Sequence, residues 1–390
     1  MTHRTRRLAT SVAALSAVAM LAACGGDGEG TTSSTSSGAS GETSGGGELQ
    51  PVSVQLQWVT QAQFACYYAA LDQGLYEKYG LEVEILPGAT DIVPIDVLTS
   101  GGADFAVSWV PKVLGAIEQG ARVTDVAQIF QRSGTLQISF ADAGITSPAD
   151  LAGKKVGSWG YGNEWELFAG MQKNGVELGD ITLVQQAFDM NGFLSGDIDA
   201  AQAMTYNEYA QVLESVNPDT GELYQPEELN VIDWNDAGTA MLQDAIWADA
   251  DKLADDEQYR TNTVNFIAGT IAGCAYARDN AEEAAQIVTA AGSQLGQSHQ
   301  LWMANEVNKL IWPSPNGAGM IDEAMWQQTV DIAKGTQNET GATIITADPP
   351  ADGYSNEYVT EALALLEADG VDTKGESYAA IDVTLQEGGN

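Results

Sequence analysis

The sequence predicts an α/β protein of two lobes, each a mostly parallel sheet with flanking helices, joined by two crossing strands that act as a hinge. Three observations predict it. Short stretches of period-two alternation recur between stretches with helical spacing. The strand–helix alternation breaks off near residue 140 and starts afresh. From Leu253 onward the chain reads as mainly helical. The second run therefore inserts into a lobe built from both ends of the chain.

Folding is expected to begin near Leu49. His3, Arg4, Arg6 and Arg7 precede a short apolar, Ala-rich run over 8–23, which has the make-up of a secretory signal and is too weak for a membrane span. Leu21-Ala22-Ala23-Cys24 resembles the bacterial lipobox, which implies cleavage before Cys24 and lipid attachment there. Residues 1–23 are thus read as a lipoprotein signal peptide. Residues 24–48, nearly all Gly, Ser, Thr and acids, read as a flexible tether with a span on the order of 25 Å. The expected location is outside the cell membrane, held by the lipid alone.

The remainder divides into lobe 1, residues 49–140 and 241–390, and lobe 2, residues 141–240. In lobe 1, Val52, Val54 and Leu56 alternate with polar residues up to Trp58, a strand. Residues 62–79 read as one helix closed by Gly80. Strands follow at 81–85, 104–109, 123–130 and 135–140, with helices at 92–100 and, opened by Pro111, 111–119. In lobe 2, strands at 156–159, 181–186, 200–204 and 231–234 alternate with helices at 164–174, 191–195 and from Tyr206. The strand at 242–248 returns to lobe 1. Helices are expected at 263–277, 281–295, 301–310, 323–334 and 358–368.

The charge is strongly acidic: 54 acidic against 16 basic residues, net −38. That sign opposes nucleic acid and anionic lipid. The acids are scattered, as on a solvated surface. Cys66 lies in an aromatic-rich run and reads as a small buried hydrophobe; a Cys66–Cys274 bridge is permitted in an oxidising compartment. No metal-ligand spacing, phosphate loop or nucleophile elbow is present, so neither metal nor cofactor is expected.

Four strands end at an aromatic residue followed by a helix: Trp58, Trp109, Trp159 and, after Thr205, Tyr206. Ligands of open α/β sheets bind beyond the carboxyl ends of the strands, so these residues are expected to line a cleft and sandwich a flat ring. Polar neighbours in the same turns are candidates for orienting it: Gln61, Ser108, Asn163, Glu164, Asp189, Asn207 and Glu208, with Phe64 beside them. Glu164 and Glu208 are the sharpest, since a carboxylate accepts from adjacent ring N–H and amino groups.

Several segments resemble the NMT1 and thiamine-precursor branch of solute-binding proteins. They are Leu56-Gln57-Trp58-Val59-Thr60-Gln61-Ala62-Gln63-Phe64-Ala65, then Gly101-Gly102-Ala103-Asp104-Phe105-Ala106-Val107-Ser108, then Ser147-Pro148-Ala149-Asp150-Leu151-Ala152-Gly153-Lys154-Lys155, then Leu194-Ser195-Gly196-Asp197-Ile198-Asp199-Ala200. The resemblance runs over roughly 51–250. It implies a type II periplasmic-binding-protein fold. It also implies a monomer that delivers a small heteroaromatic ligand to an ABC permease and its ATPase. A thiamine pyrimidine precursor is the first expectation and riboflavin the alternative. The enzymatic relatives of this fold build the pyrimidine from a histidine of their own; beyond the signal this chain has only His299, far along a C-terminal helix. No catalysis is expected.

With so acidic a surface, self-repulsion opposes the compact state and added salt screens it. The melting temperature is expected to rise between low and high salt in a thermal scan.

Overall fold

The computed structural model describes residues 48–390. The signal peptide, Cys24 and the tether lie outside the described residues. Among the described residues ten strands make sheets of five, three and two strands: β1 (Gln50–Gln55), β2 (Leu81–Leu86), β3 (Phe105–Trp109), β4 (Val123–Gln128), β5 (Thr135–Phe140), β6 (Lys155–Ser158), β7 (Thr182–Gln185), β8 (Ala201–Met204), β9 (Leu229–Asp233) and β10 (Asp244–Asp249).

The first sheet runs β2-β1-β3-β10-β4. β1 pairs in parallel with β2 and β3, while β10 is antiparallel to β3 and β4. The second runs β8-β5-β9, with β5 antiparallel to both neighbours. The parallel pair β6–β7 adjoins it through a bridge between Val156 and Ala200. Both lobes therefore share one plan, with a single antiparallel strand in fourth place.

That strand comes from the other side of the hinge in each case. Thr135–Phe140, expected in lobe 1, pairs wholly with β8 and β9 and so belongs to the second sheet. The chain crosses earlier, at 129–134, and crosses back just before Asp244. Polar side chains tie the two crossings. Gln243 Oε1 accepts Gly134 N at 2.9 Å, and its Nε2 donates to Ser133 Oγ and Thr135 Oγ1 at 3.0 and 2.6 Å. Gln128 Nε2 donates to the carbonyls of Phe130, Gln243 and Asp244.

The helix expected over 62–79 is broken. A short 3-10 turn (Ala62–Phe64) leads into Ala65–Asp72, and Leu75–Lys78 follows after Gly74, whose φ of 64° stops the first helix. The expected C-terminal helices are present at Glu257–Asp279, Ala281–Ala290, Gln297–Ile311, Glu323–Gly335 and Glu357–Ala368. Among the described residues no helix is long and apolar enough to cross a membrane.

Helix Ala65–Asp72 packs against Glu257–Asp279 at Gly273, where a Cβ would fall 2.1 Å from the Cys66 carbonyl oxygen. That close approach brings Cys66 and Cys274, both buried, into a disulfide with a Cα separation of 4.2 Å. Cys66 is thus a crosslink as well as a core residue. The bond spans 208 residues of sequence, so it restricts the unfolded chain strongly.

Replacing both cysteines by serine is expected to cost about 2–5 kcal/mol in urea unfolding. Reductant is expected to lower the stability of the native chain and leave that of the double variant unchanged.

Candidate functional site

A cavity of about 1250 Å³ lies between the lobes. It sits beyond the carboxyl ends of β1, β3, β6 and β8, where the chain turns into helices and its side chains are free to project. Of the residues expected there, Trp58, Gln61, Ser108, Trp109, Trp159, Asn163, Tyr206, Asn207 and Glu208 line it. Phe64, Glu164 and Asp189 do not. Phe64 is fully buried beside Tyr67 in the lobe 1 core. Glu164 turns back on its own loop, its Oε2 accepting Gly162 N at 2.9 Å. Asp189 is exposed and accepts Asn191 N at 2.9 Å, which starts the helix at 191.

The four strand-end aromatics are not equivalent. Trp109 donates its indole N–H to Asp244 Oδ1 at 2.8 Å, and the Lys112 ammonium lies 5.0 Å from its ring centroid. Its edge and one face are therefore taken. Trp159 and Tyr206 are buried, at 4% and 2% exposure. Trp58 is half-buried and meets Phe188 of the second lobe, centroids 4.8 Å apart. Phe188 and Tyr161 both line the cavity and are 44% and 85% exposed. Tyr161 holds a positive φ of 54° between Gly160 and Gly162, at 68° and 86°, so three successive left-handed residues set its ring at the cavity mouth. The sequence reading missed both rings because neither ends a strand.

Asp244 was missed as well. It is buried at the start of β10, and its carboxylate accepts from Gln57 Nε2 at 2.5 Å, Gln63 Nε2 at 2.9 Å and Trp109 Nε1 at 2.8 Å. Gln61 Nε2 donates to Gln63 Oε1 at 2.8 Å and extends the network. The one sequence signal was an acid opening an otherwise apolar strand. Glu208 is held by Met204 N at 3.0 Å and Asn207 Nδ2 at 2.8 Å. His299, on the helix Gln297–Ile311, reaches Asn207 Oδ1 at 3.0 Å through Nε2 and Glu214 at 2.9 Å through Nδ1, so it braces the cavity wall from behind.

Burial dominates the titration of these acids. It pushes Asp244 up to about 6 and Glu208 to about 7, although their hydrogen bonds oppose the shift. Glu166, buried beside the crossings and accepting Met241 N at 2.6 Å, rises to about 7 for the same reason. Among the described residues no group of three or more His, Cys, Asp or Glu is placed to hold a metal ion.

Two α/β lobes, a double crossing and a cleft at the strand ends define a type II periplasmic-binding-protein fold. The aliphatic sulphonate binding protein SsuA of Escherichia coli is similar in structure, with a TM-score of 0.55 at 14% identity over 86% of this chain and 93% of that one. The chain belongs to the NMT1/THI5-like family, whose model matches residues 61–284. It is similar to the formylaminopyrimidine-binding protein of Halalkalibacterium halodurans, 27% identical over 48% of this chain and 57% of that protein. It is also similar to the riboflavin-binding protein RibY of Chloroflexus aurantiacus, 27% identical over 42% of this chain and 48% of that protein. The matches span about half the length of these relatives.

A carboxyl group raised from about 4.5 to about 7 keeps a proton in the native state that the unfolded chain releases. The stability it contributes is present at low pH and lost as pH rises through about 7. For Glu166 the span is worth about 3 kcal/mol. Glu166→Gln is expected to flatten the fall in unfolding free energy between pH 5 and pH 8, measured in urea; an unchanged slope counts against the assignment.

Proposed function

We propose that this chain is the extracytoplasmic solute-binding component of an ABC importer and that its cleft captures a flat heteroaromatic solute. The observation that carries the reading is the interlobe cavity, walled by Trp58, Trp109, Trp159, Phe188 and Tyr206 around a few oriented polar groups. That make-up, apolar and aromatic walls with few polar contacts, is what organic ligands require. The binding-protein names of its relatives support it.

Size bears on the choice of solute. Sites for drug-sized molecules run about 300–1000 Å³, and 1250 Å³ is far more than one pyrimidine ring fills. That volume belongs to the open cleft, which narrows as the lobes close, so it admits a flavin-sized ring system as well as the thiamine pyrimidine precursor expected first. The formylaminopyrimidine-binding relative supports the smaller solute, and the riboflavin-binding relative supports the flavin as the alternative. In either case the ring enters beside Trp58, the lobes close about the two crossings, and the membrane partners read the closed form. Glu208 accepts from a ring N–H or amino group.

An aminopyrimidine or riboflavin is expected to raise the melting temperature of the purified protein and to quench its Trp fluorescence. Loss of Trp58 (Trp58→Ala) is expected to weaken binding by about tenfold, the scale of one aromatic stacking contact. A protein that responds to neither ring class would sink the proposal.

A further inference from the structure

Lys112 and Glu208 are the two side chains of ordinary acid or base character that line the cavity among the described residues. The protein provides for them differently. Both oxygens of Glu208 receive N–H donors, from Met204 and Asn207. Lys112 makes no ion pair among the described residues. Its Cγ lies 3.5 Å from where a Cβ on Gly162 of the second lobe would stand, and its Nζ lies over Trp109. The carboxylates that act on it through space are Glu164 and Asp244. Each is already engaged, Glu164 by Gly162 N and Asp244 by Gln57, Gln63 and Trp109.

Lys112 is exposed and lines the cavity, so solvent serves its ammonium until a solute displaces that water and must offer an acceptor in its place. Among the described residues nothing accepts from its three N–H donors, and they sit where the helix Val110–Glu118 of one lobe meets the Gly160–Gly162 turn of the other.

Resting on the reading of this cleft as a solute site, we propose that Lys112 is a ligand-binding residue and that the solute presents an acceptor edge to it, a ring carbonyl beside Trp109. Together with Glu208 this gives the cavity a polarity: a carbonyl-bearing edge toward Lys112, and N–H donors toward Glu208. A pyrimidine that lacks a carbonyl meets only half of that pattern. A lone ammonium with no accompanying arginine suits a neutral carbonyl better than a phosphate ester, which takes several donors.

Lys112→Met keeps the apolar stem against Gly162 and removes the ammonium. Calorimetric titrations with riboflavin and lumichrome, whose rings carry carbonyls, and with hydroxymethylpyrimidine, which has none, separate the possibilities. Wild type is expected to bind the carbonyl-bearing rings, and Lys112→Met to bind them at least about tenfold more weakly. Its melting temperature without solute is expected to match wild type, and Lys112→Arg to recover part of the affinity. Carbonyl-ring affinity within about twofold of wild type in Lys112→Met overturns the proposal. So does wild-type binding of hydroxymethylpyrimidine alone, or an equal loss for rings with and without a carbonyl. If wild type binds none of the three, the solute-site reading itself fails and takes this inference with it.

Discussion

Much of the cleft depends on one buried carboxylate. Asp244 opens β10, and its backbone oxygen accepts Ile129 N and Phe130 N at 3.0 and 3.1 Å, on the outward crossing. Its side chain accepts from Gln57, Gln63 and Trp109. A carboxylate removed from water must be surrounded by donors. Meeting that requirement sets the rotamers of three residues in two different strand-to-helix turns. The floor of the cavity is shaped by the needs of a group that does not itself line it.

The hinge follows from the same neighbourhood. Gln128 and Gln243 bind backbone groups of both crossings, so the two strands move as a unit rather than as independent linkers. Beyond them the lobes meet at the mouth, Trp58 on Phe188 and Lys112 against Gly162, and share a buried apolar cluster that includes Trp165 and Phe168 of the second lobe and Trp326 and Val330 of the first. His299 adds a third tie, joining the helix Gln297–Ile311 to Asn207 and Glu214.

The fold was readable because strand and helix periodicities are local, and because the cleft of an open sheet lies at a known end of its strands. Nine of the twelve residues expected at the site line the cavity for that reason. The errors have a common cause. Whether a side chain near a strand end faces the cleft is decided by partners the sequence does not place nearby. Trp109 is turned by an acid 135 residues away. Glu164 and Asp189 are captured by amides of their own turns, and Phe64 faces inward from a 3-10 turn where a regular helix was expected. Phe188 and Tyr161 come from loops with no periodicity to read.

The exchanged fourth strands bear on how the chain is made. β4 reaches its place in the first sheet only by pairing with β10, which lies more than a hundred residues later. β5 completes the second sheet from the other direction. A chain emerging N-terminus first therefore holds an unfinished first lobe, with a gap one strand wide, until the whole second lobe has followed. Assembly once the whole chain is available suits such a topology, whereas stepwise domain-by-domain folding during synthesis does not. The boundary between the lobes does not divide the chain into separately foldable parts.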